Sequence, residues 1–303
     1  MRKFIVSDLH GDGNAYKAIM SYLDNLKKEE DVELYINGDL IDRGPDSATM
    51  LLDIKRRIDD GEKIIYLSGN HEQMMYDVFQ RRRKEIYVPP YDRWFYNGGV
   101  ITDESLNEKL KDKDKILEVV DFIGNLKLYH KFPEVMDYKN IVLVHAACPI
   151  NVKDECDLKL KEYNDFMDYY LWTRVDDYDH HFRCRIGHDS YFSIVGHTPN
   201  NNKYGVEYNI AQDYLNIDGG SAKYVEGDFE YDHVPLVEVC DNYLKILTFN
   251  HQNEIIYGNY LIDAKIKPFT SEELELARSY LDKSFIPKKL VKLSKKTIVY
   301  EDY

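Results

Sequence analysis

Three short apolar runs set the terms for any fold of this chain. Phe4-Ile5-Val6, residues 32–36 and Ile64-Ile65-Tyr66-Leu67 each read as a buried strand that breaks off into a polar, glycine-bearing loop. After the first loop, Ala18, Ile19, Tyr22, Leu23 and Leu26 recur at helical spacing, with Asn14 placed to cap the helix. After the second, Pro45 and Asp46 open a helix with Ala48, Leu51, Leu52, Ile54 and Ile58 on one face. This rhythm predicts parallel strands joined by crossover helices. Open sheets of that kind gather ligands at the carboxyl ends of their strands, so the loops are where chemistry is to be sought.

The loops are rich in groups that bind cations. The first holds Asp8 and His10, two apart, which an extended backbone points the same way. Alone, such a pair is more often a polar strand exit than half of a metal site. The second loop, Gly38-Asp39-Leu40-Ile41-Asp42-Arg43-Gly44, sets two carboxylates beside an arginine, and the third carries Asn70 and His71. Three successive exits with metal-competent side chains make metal binding the better reading. Two further strand ends continue the pattern: residues 140–144 deliver His145, and residues 193–195 deliver His197. The set Asp8, His10, Asp39, Asn70, His145 and His197 offers oxygen and imidazole donors without a thiolate. That chemistry suits two divalent ions, manganese first and iron or zinc as variants, rather than a structural cysteine-rich zinc site.

Between residues 73 and 139 the strand rhythm lapses, and a helical cap inserted into the fold is expected there. Within it, Arg81-Arg82-Arg83-Lys84 reads as a solvated helix end. Trp94-Phe95-Tyr96-Asn97-Gly98-Gly99 is an aromatic turn that either rims a pocket or packs inward. Further on, Trp172-Thr173-Arg174 presents an arginine after an aromatic anchor, while His180, His181 and His188 read as ordinary loop histidines. Residues 215–220 form another strand and turn, and residues 234–239 and 243–249 flank a hairpin signal at Asp241-Asn242. A charged helix over 271–282 and a Lys-rich tail follow, without a catalytic signal.

Composition narrows the partners. Forty basic against 54 acidic residues leave a formal charge of −14 over 303 residues, which disfavours non-specific binding of nucleic acid or anionic membrane. A phosphate-bearing ligand must then be captured by a local positive centre. Cys148, Cys156, Cys184 and Cys240 are scattered without a C-x-x-C pair, and no apolar run is long enough to span a bilayer. A reduced, cytoplasmic setting is the expectation.

In order along the chain, Asp8-x-His10, Gly38-Asp39-x-x-Asp42-Arg43-Gly44, Gly69-Asn70-His71-Glu72, Val144-His145-Ala146 and Gly196-His197-Thr198 resemble the signature of the calcineurin-like metallophosphoesterases. More narrowly they resemble the bacterial and phage-type branch of the phosphoprotein phosphatases, as do Asn97-Gly98-Gly99 and Trp172-Thr173-Arg174. The resemblance covers roughly residues 1–249. It implies a central β-sandwich flanked by helices, with residues 1–262 as the catalytic domain, 73–139 as the cap and 263–303 as a helical, charged extension. It also implies one metal on Asp8, His10 and Asp39, and a second on Asp39, Asn70, His145 and His197. His71, paired with Asp42, is then the general acid; Arg43 and Arg174, with Asn70 and His71, hold the substrate phosphate. Ala147 stands where the family usually has glycine, a departure beside the second metal.

The activity so implied is hydrolysis of phosphoserine and phosphothreonine, with phosphotyrosine in range, by direct attack of metal-bound hydroxide. The alternative within the same site is a phosphoesterase for diadenosine tetraphosphate, other nucleotides or nucleic-acid ends. An intact Asp42 favours the first, because relatives acting on diadenosine polyphosphates often lack it. A non-catalytic docking module is disfavoured, since every expected ligand and the proton donor are present. The expected partners are therefore phosphoproteins or small phosphorylated molecules, and the oligomeric state is open.

Overall fold

Phe4 and Val6 pack with the helices whereas Ile5 joins a second apolar layer, and Leu34 and Ile36 part from Tyr35 in the same way. Two-residue alternation with both faces apolar requires a sheet covered on both sides. A computed structural model describes residues 1–136, 139–147, 158–174, 191–209, 214–262, 265–294 and 297–301. Cys148, Cys156, Cys184, His180, His181 and His188 lie outside the described residues.

The chain opens with β1 (Arg2–Val6), α1 (Gly13–Leu26), β2 (Val32–Asn37), α2 (Ser47–Asp59), β3 (Ile64–Leu67) and α3 (Asn70–Arg83). A π-helical turn at Phe95–Gly99 leads to α4 (Val100–Leu110) and α5 (Lys113–Gly124). Next come β4 (Tyr129–Met136), β5 (Lys139–Val144), α6 (Asp168–Trp172), β6 (Tyr191–Val195), β7 (Glu207–Asn209), β8 (Tyr214–Asn216) and α7 (Ser221–Val225). The last part holds β9 (Val234–Val239), β10 (Leu244–Phe249), β11 (Ile255–Ile262), β12 (Lys265–Pro268), α8 (Ser271–Ser279), β13 (Lys289–Ser294) and β14 (Thr297–Glu301).

Two mixed sheets result, in the orders β12-β11-β10-β9-β1-β2-β3 and β4-β5-β6-β8-β7. The predicted parallel unit is present, since β1, β2 and β3 run parallel with α1 and α2 between them. It is half of one sheet; β9 joins β1 antiparallel and the meander to β12 completes that sheet. Ile5, Tyr35, Val237 and Ile246 of the first sheet meet Phe132, Ile141, Leu143 and Ile194 of the second in one apolar cluster. That interface is a β-sandwich, and helices α1 to α5 contribute to the other core.

Several local expectations change. The stretch expected to be helical to residue 139 turns to strand at Tyr129, because Phe132 is needed in the sandwich core. The segment expected to be a helical, charged extension carries strands besides α8: β12 pairs with β11, and β13 pairs with β14 in a hairpin. Asp12, not Asn14, caps α1, its Oδ1 accepting from the amides of Asn14 and Ala15 at 3.0 Å each. Asn14 instead makes a reciprocal pair with the main chain of Lys288, donating at 2.7 Å and accepting at 3.0 Å. Asn25 donates to the Tyr280 carbonyl and Ser21 accepts from the Asp282 amide, so α1 straps the C-terminal segment along its length. The Arg81–Arg83 run is tied up in ion pairs with Asp92, Asp103 and Asp121. Among the described residues no helix is long and apolar enough to cross a membrane.

Replacing Asn14 by Ala deletes both of its part-buried bonds to the Lys288 main chain. The expected cost is about 1–3 kcal/mol in urea unfolding; an unchanged midpoint would show that the strap contributes nothing.

Candidate active site

Parallel pairing brings the carboxyl ends of β1, β2 and β3 together, and those of β5, β6 and β8 likewise. The loops that leave them are unusually contorted. Asp8, His10, Asp39, Asp42, Arg43 and His197 all adopt φ between 46° and 73°, and they are six of the nine described non-glycine residues with positive φ. Each such residue costs on the order of 1–2 kcal/mol relative to right-handed backbone. Strain concentrated on the residues singled out from sequence marks a site whose side chains are held against local preference.

The Asp39 carboxylate is the hub. Its Oδ2 lies 3.4 Å from His145 Nε2, 3.5 Å from His10 Nε2 and 3.9 Å from His71 Nε2. Its Oδ1 accepts the His71 amide at 3.0 Å, in the first turn of α3. Asn70 Oδ1 is 3.0 Å from His145 Nε2, and the His197 and His145 rings are 5.1 Å apart. Gly69 is required here, since a Cβ at that position would stand 2.1 Å from Asp39 Oδ1. Asp8 lies next to this hub, its carboxylate accepting from the Ser7 hydroxyl and from the His197 amide.

The imidazoles are oriented by their outer nitrogens. Nδ1 of His10 faces the Ile41 carbonyl at 3.1 Å, Nδ1 of His145 the Asn37 carbonyl at 3.0 Å, and Nε2 of His197 the Trp172 carbonyl at 3.2 Å. A nitrogen facing a carbonyl must carry the proton, which leaves the opposite nitrogen as a lone pair. For His10 that lone pair is the Nε2 aimed at Asp39; His145 Nε2, aimed there too, offers one only once the proton it shares with Asp39 is lost. Two three-residue groups, His10 with Asp39 and His71, and Asp39 with His145 and His197, place ligand atoms within 4.8 Å of one another. The donor set fits divalent ions: oxygen and imidazole, buried, and oriented by main-chain carbonyls.

Electrostatics points the same way. Burial would raise Asp39, but His145 and His71 outweigh it and hold the carboxyl well below its usual range. Burial, reinforced by Asp218, keeps Asp8 well above that range, and burial pushes Asp218 up to about 6. Burial would lower His145, yet Asp39 and Asp8 prevail and push it up to about 10. Burial lowers both His10, helped by Arg43, and His197, helped by His145. Carboxylates crowded to this degree call for cationic compensation.

Asp42 holds His71. Its Oδ2 is 2.7 Å from His71 Nδ1 and accepts Trp94 Nε1–H at 2.8 Å, while Oδ1 accepts the Thr102 hydroxyl at 2.6 Å. Trp94 and Thr102 are fully buried, so the aromatic turn packs inward onto the site through Trp94, while Tyr96 points to solvent. Arg43 Nη2 is 3.4 Å from His71 Nε2. Arg174 Nη1 donates to the His197 carbonyl at 3.0 Å, which brings it to the second cluster.

Sequence reasoning passed over the supports. Glu72 accepts the amides of Asp39, Leu40 and Gly69 and the hydroxyl of Tyr66, thereby tying the second and third loops together. Asn37 donates to the Val144 carbonyl and links the two sheets. Asp218 leaves β8 as the other site residues leave their strands, a signal that was available. Ala147 is buried, its amide bonded to the Tyr169 carbonyl.

A family model described as calcineurin-like phosphoesterase matches residues 1–252. Among solved structures, a cold-active protein tyrosine phosphatase is 14% identical, with a TM-score of 0.54 over 90% of this chain and 80% of that one. A serine/threonine phosphatase from Saccharomyces cerevisiae is 14% identical, with a TM-score of 0.50 over 82% and 80%. A cold-active protein-tyrosine phosphatase from a psychrophilic Shewanella is 15% identical, with a TM-score of 0.50 over 89% and 80%. At these identities they share the fold. No curated protein matches the chain in sequence.

Because His145 is raised to about 10 without metal, its protonation stabilises the metal-free chain below pH 6.5, and that contribution is lost as pH rises through 10. A metal ligated by His145 must expel this proton. Manganese titrated calorimetrically at pH 8 in buffers of different ionisation enthalpy should therefore release about one proton. Heat independent of buffer would contradict the assignment.

Proposed function

This chain belongs to the calcineurin-like phosphoesterases, and on that footing we propose that it is a dinuclear-metal phosphomonoesterase acting on phosphoserine and phosphothreonine in polypeptides, with phosphotyrosine a further substrate. The observation that carries the reading is His71 held at 2.7 Å by Asp42, with its Nε2 facing both Asp39 and the Arg43 guanidinium. A proton donor thus stands beside a metal hub and an anion-binding cation.

Asp8, His10 and Asp39 would hold one ion, and Asp39, Asn70, His145 and His197 the other. Two divalent ions, manganese in the first instance, supply Lewis acidity that lowers the pKa of water and offsets charge on phosphoryl oxygens. The chain's own groups do the rest. Arg43 and Arg174 bind non-bridging phosphate oxygens, with Asn70 and His71 completing the cradle. The Asp42 carboxylate keeps the His71 Nδ1 proton in place and fixes the ring. Nε2–H then gives its proton to the serine or threonine oxygen as the P–O bond breaks. Trp94 and Thr102 fix Asp42 in turn, so the proton donor's orientation depends on the helical segment after α3. A cytoplasmic setting, argued from cysteine spacing, belongs to the same proposal.

Side-by-side assay of manganese-loaded protein with phosphoserine peptides and diadenosine tetraphosphate tests the substrate class. The peptides are expected to turn over faster, and faster dinucleotide cleavage would overturn the reading. Replacing His71 by Asn should lower kcat on phosphoserine roughly 10²–10⁴-fold. The loss should be smaller with p-nitrophenyl phosphate, whose leaving group needs no proton; equal activity of variant and parent on the peptide would remove His71 from the proton-donor role.

A further inference from the structure

Arg43 has a neighbour that the phosphatase reading does not use. Glu226, directly after α7, sets its Oε1 3.8 Å from Arg43 Nη1. The arginine side chain is 19% exposed and the glutamate 47%, so the carboxylate is the more solvent-accessible of the two. A substrate whose phosphate is bound by Arg43 would have this carboxylate close by. The chain continues Gly227-Asp228-Phe229-Glu230, all exposed, so Glu226 is backed by further negative charge. Between residues 221 and 232, Lys223 stands against Glu226, Asp228, Glu230 and Asp232. Arg43 is also packed against the aromatic turn, where a Cβ on Gly98 would meet Arg43 Cγ at 2.7 Å. Arg43 thus has the Gly98 main chain and an acidic side chain as neighbours.

We infer that Glu226 is a specificity-determining residue that favours phosphorylated polypeptides carrying lysine or arginine next to the phosphorylated residue, and disfavours nucleotide polyphosphates. The inference rests on the proposed phosphatase reading and refines its substrate. A group attached to a phosphate on Arg43 lies within about a Debye length, ~8 Å at physiological salt, of Glu226. A lysine or arginine there is attracted and takes over the counter-charge when phosphate claims Arg43. A second phosphate meets like charge, which costs affinity rather than merely failing to add to it.

The test uses the full-length, manganese-loaded protein and two peptides alike except for lysine or glutamate beside a non-hydrolysable phosphonate analogue of phosphoserine. Binding is read by calorimetry, so it does not depend on turnover. The parent should bind the lysine peptide roughly tenfold more tightly at low salt, with the ratio shrinking at high salt. E226Q should bring the ratio to within about twofold, and E226K should invert it. Equal binding of the two peptides by the parent, or a preference that E226Q leaves intact or salt does not weaken, overturns the inference. Parallel kcat/KM on the phosphoserine forms separates the two readings. Turnover without preference sinks the role of Glu226 alone, and preference without turnover sinks the hydrolytic function while leaving the recognition in place.

Discussion

A carboxylate buried among three imidazoles is the constraint around which this fold is arranged. Asp39 is almost wholly withdrawn from water, and His10, His71 and His145 reach it from the exits of three different strands. No one segment can supply that environment. The loop after β2 provides the anion, and the first turn of α3 provides a main-chain donor to it. The second sheet provides His145, locked by the Asn37 carbonyl of the first. The sandwich therefore does more than bury apolar surface; it brings two sets of parallel-strand ends into one place. The left-handed backbone of six site residues is tolerated because the surrounding sheets and helices over-determine it.

The helical segment between α3 and β4 has a comparable job. Trp94 sends its indole N–H to Asp42 and Thr102 sends its hydroxyl, so Asp42 is left with little freedom except to face His71. With those bonds made, the Asp42 oxygen that faces His71 Nδ1 is fixed in place, and the imidazole is oriented with it. What reads in sequence as an insertion is, in the folded chain, part of the support of the site. The same segment packs on Arg43 through Gly98, and Glu226 approaches its guanidinium.

How much of this was legible in the chain itself follows from the range of the forces involved. Period-two and period-3.6 patterning marks out β1, α1, β2, α2 and β3, because each element answers to its own local burial. The hairpin of β9 and β10 was equally plain, with apolar runs on either side of Asp241-Asn242. The strand at Tyr129 and the sheet membership of β12 were not, since short segments of those lengths take their conformation from the strands they join. The cap of α1 was misplaced by two residues for a similar reason: Asn14 is a good capping residue, but a main chain 274 residues away claims its amide.

Ordered Asp, Asn and His residues at strand exits, with an Asp-Arg pair between them, determined the family and the kind of chemistry, because donor identity is a property of residue type. Tertiary structure alone decided which carboxylate sits at the centre, which nitrogen of each imidazole is free, and that Glu72, Trp94, Thr102 and Glu226 belong to the site at all. Hydrogen bonds and ion pairs of a few ångströms join residues dozens to hundreds of positions apart, and no local pattern along the chain encodes such pairings.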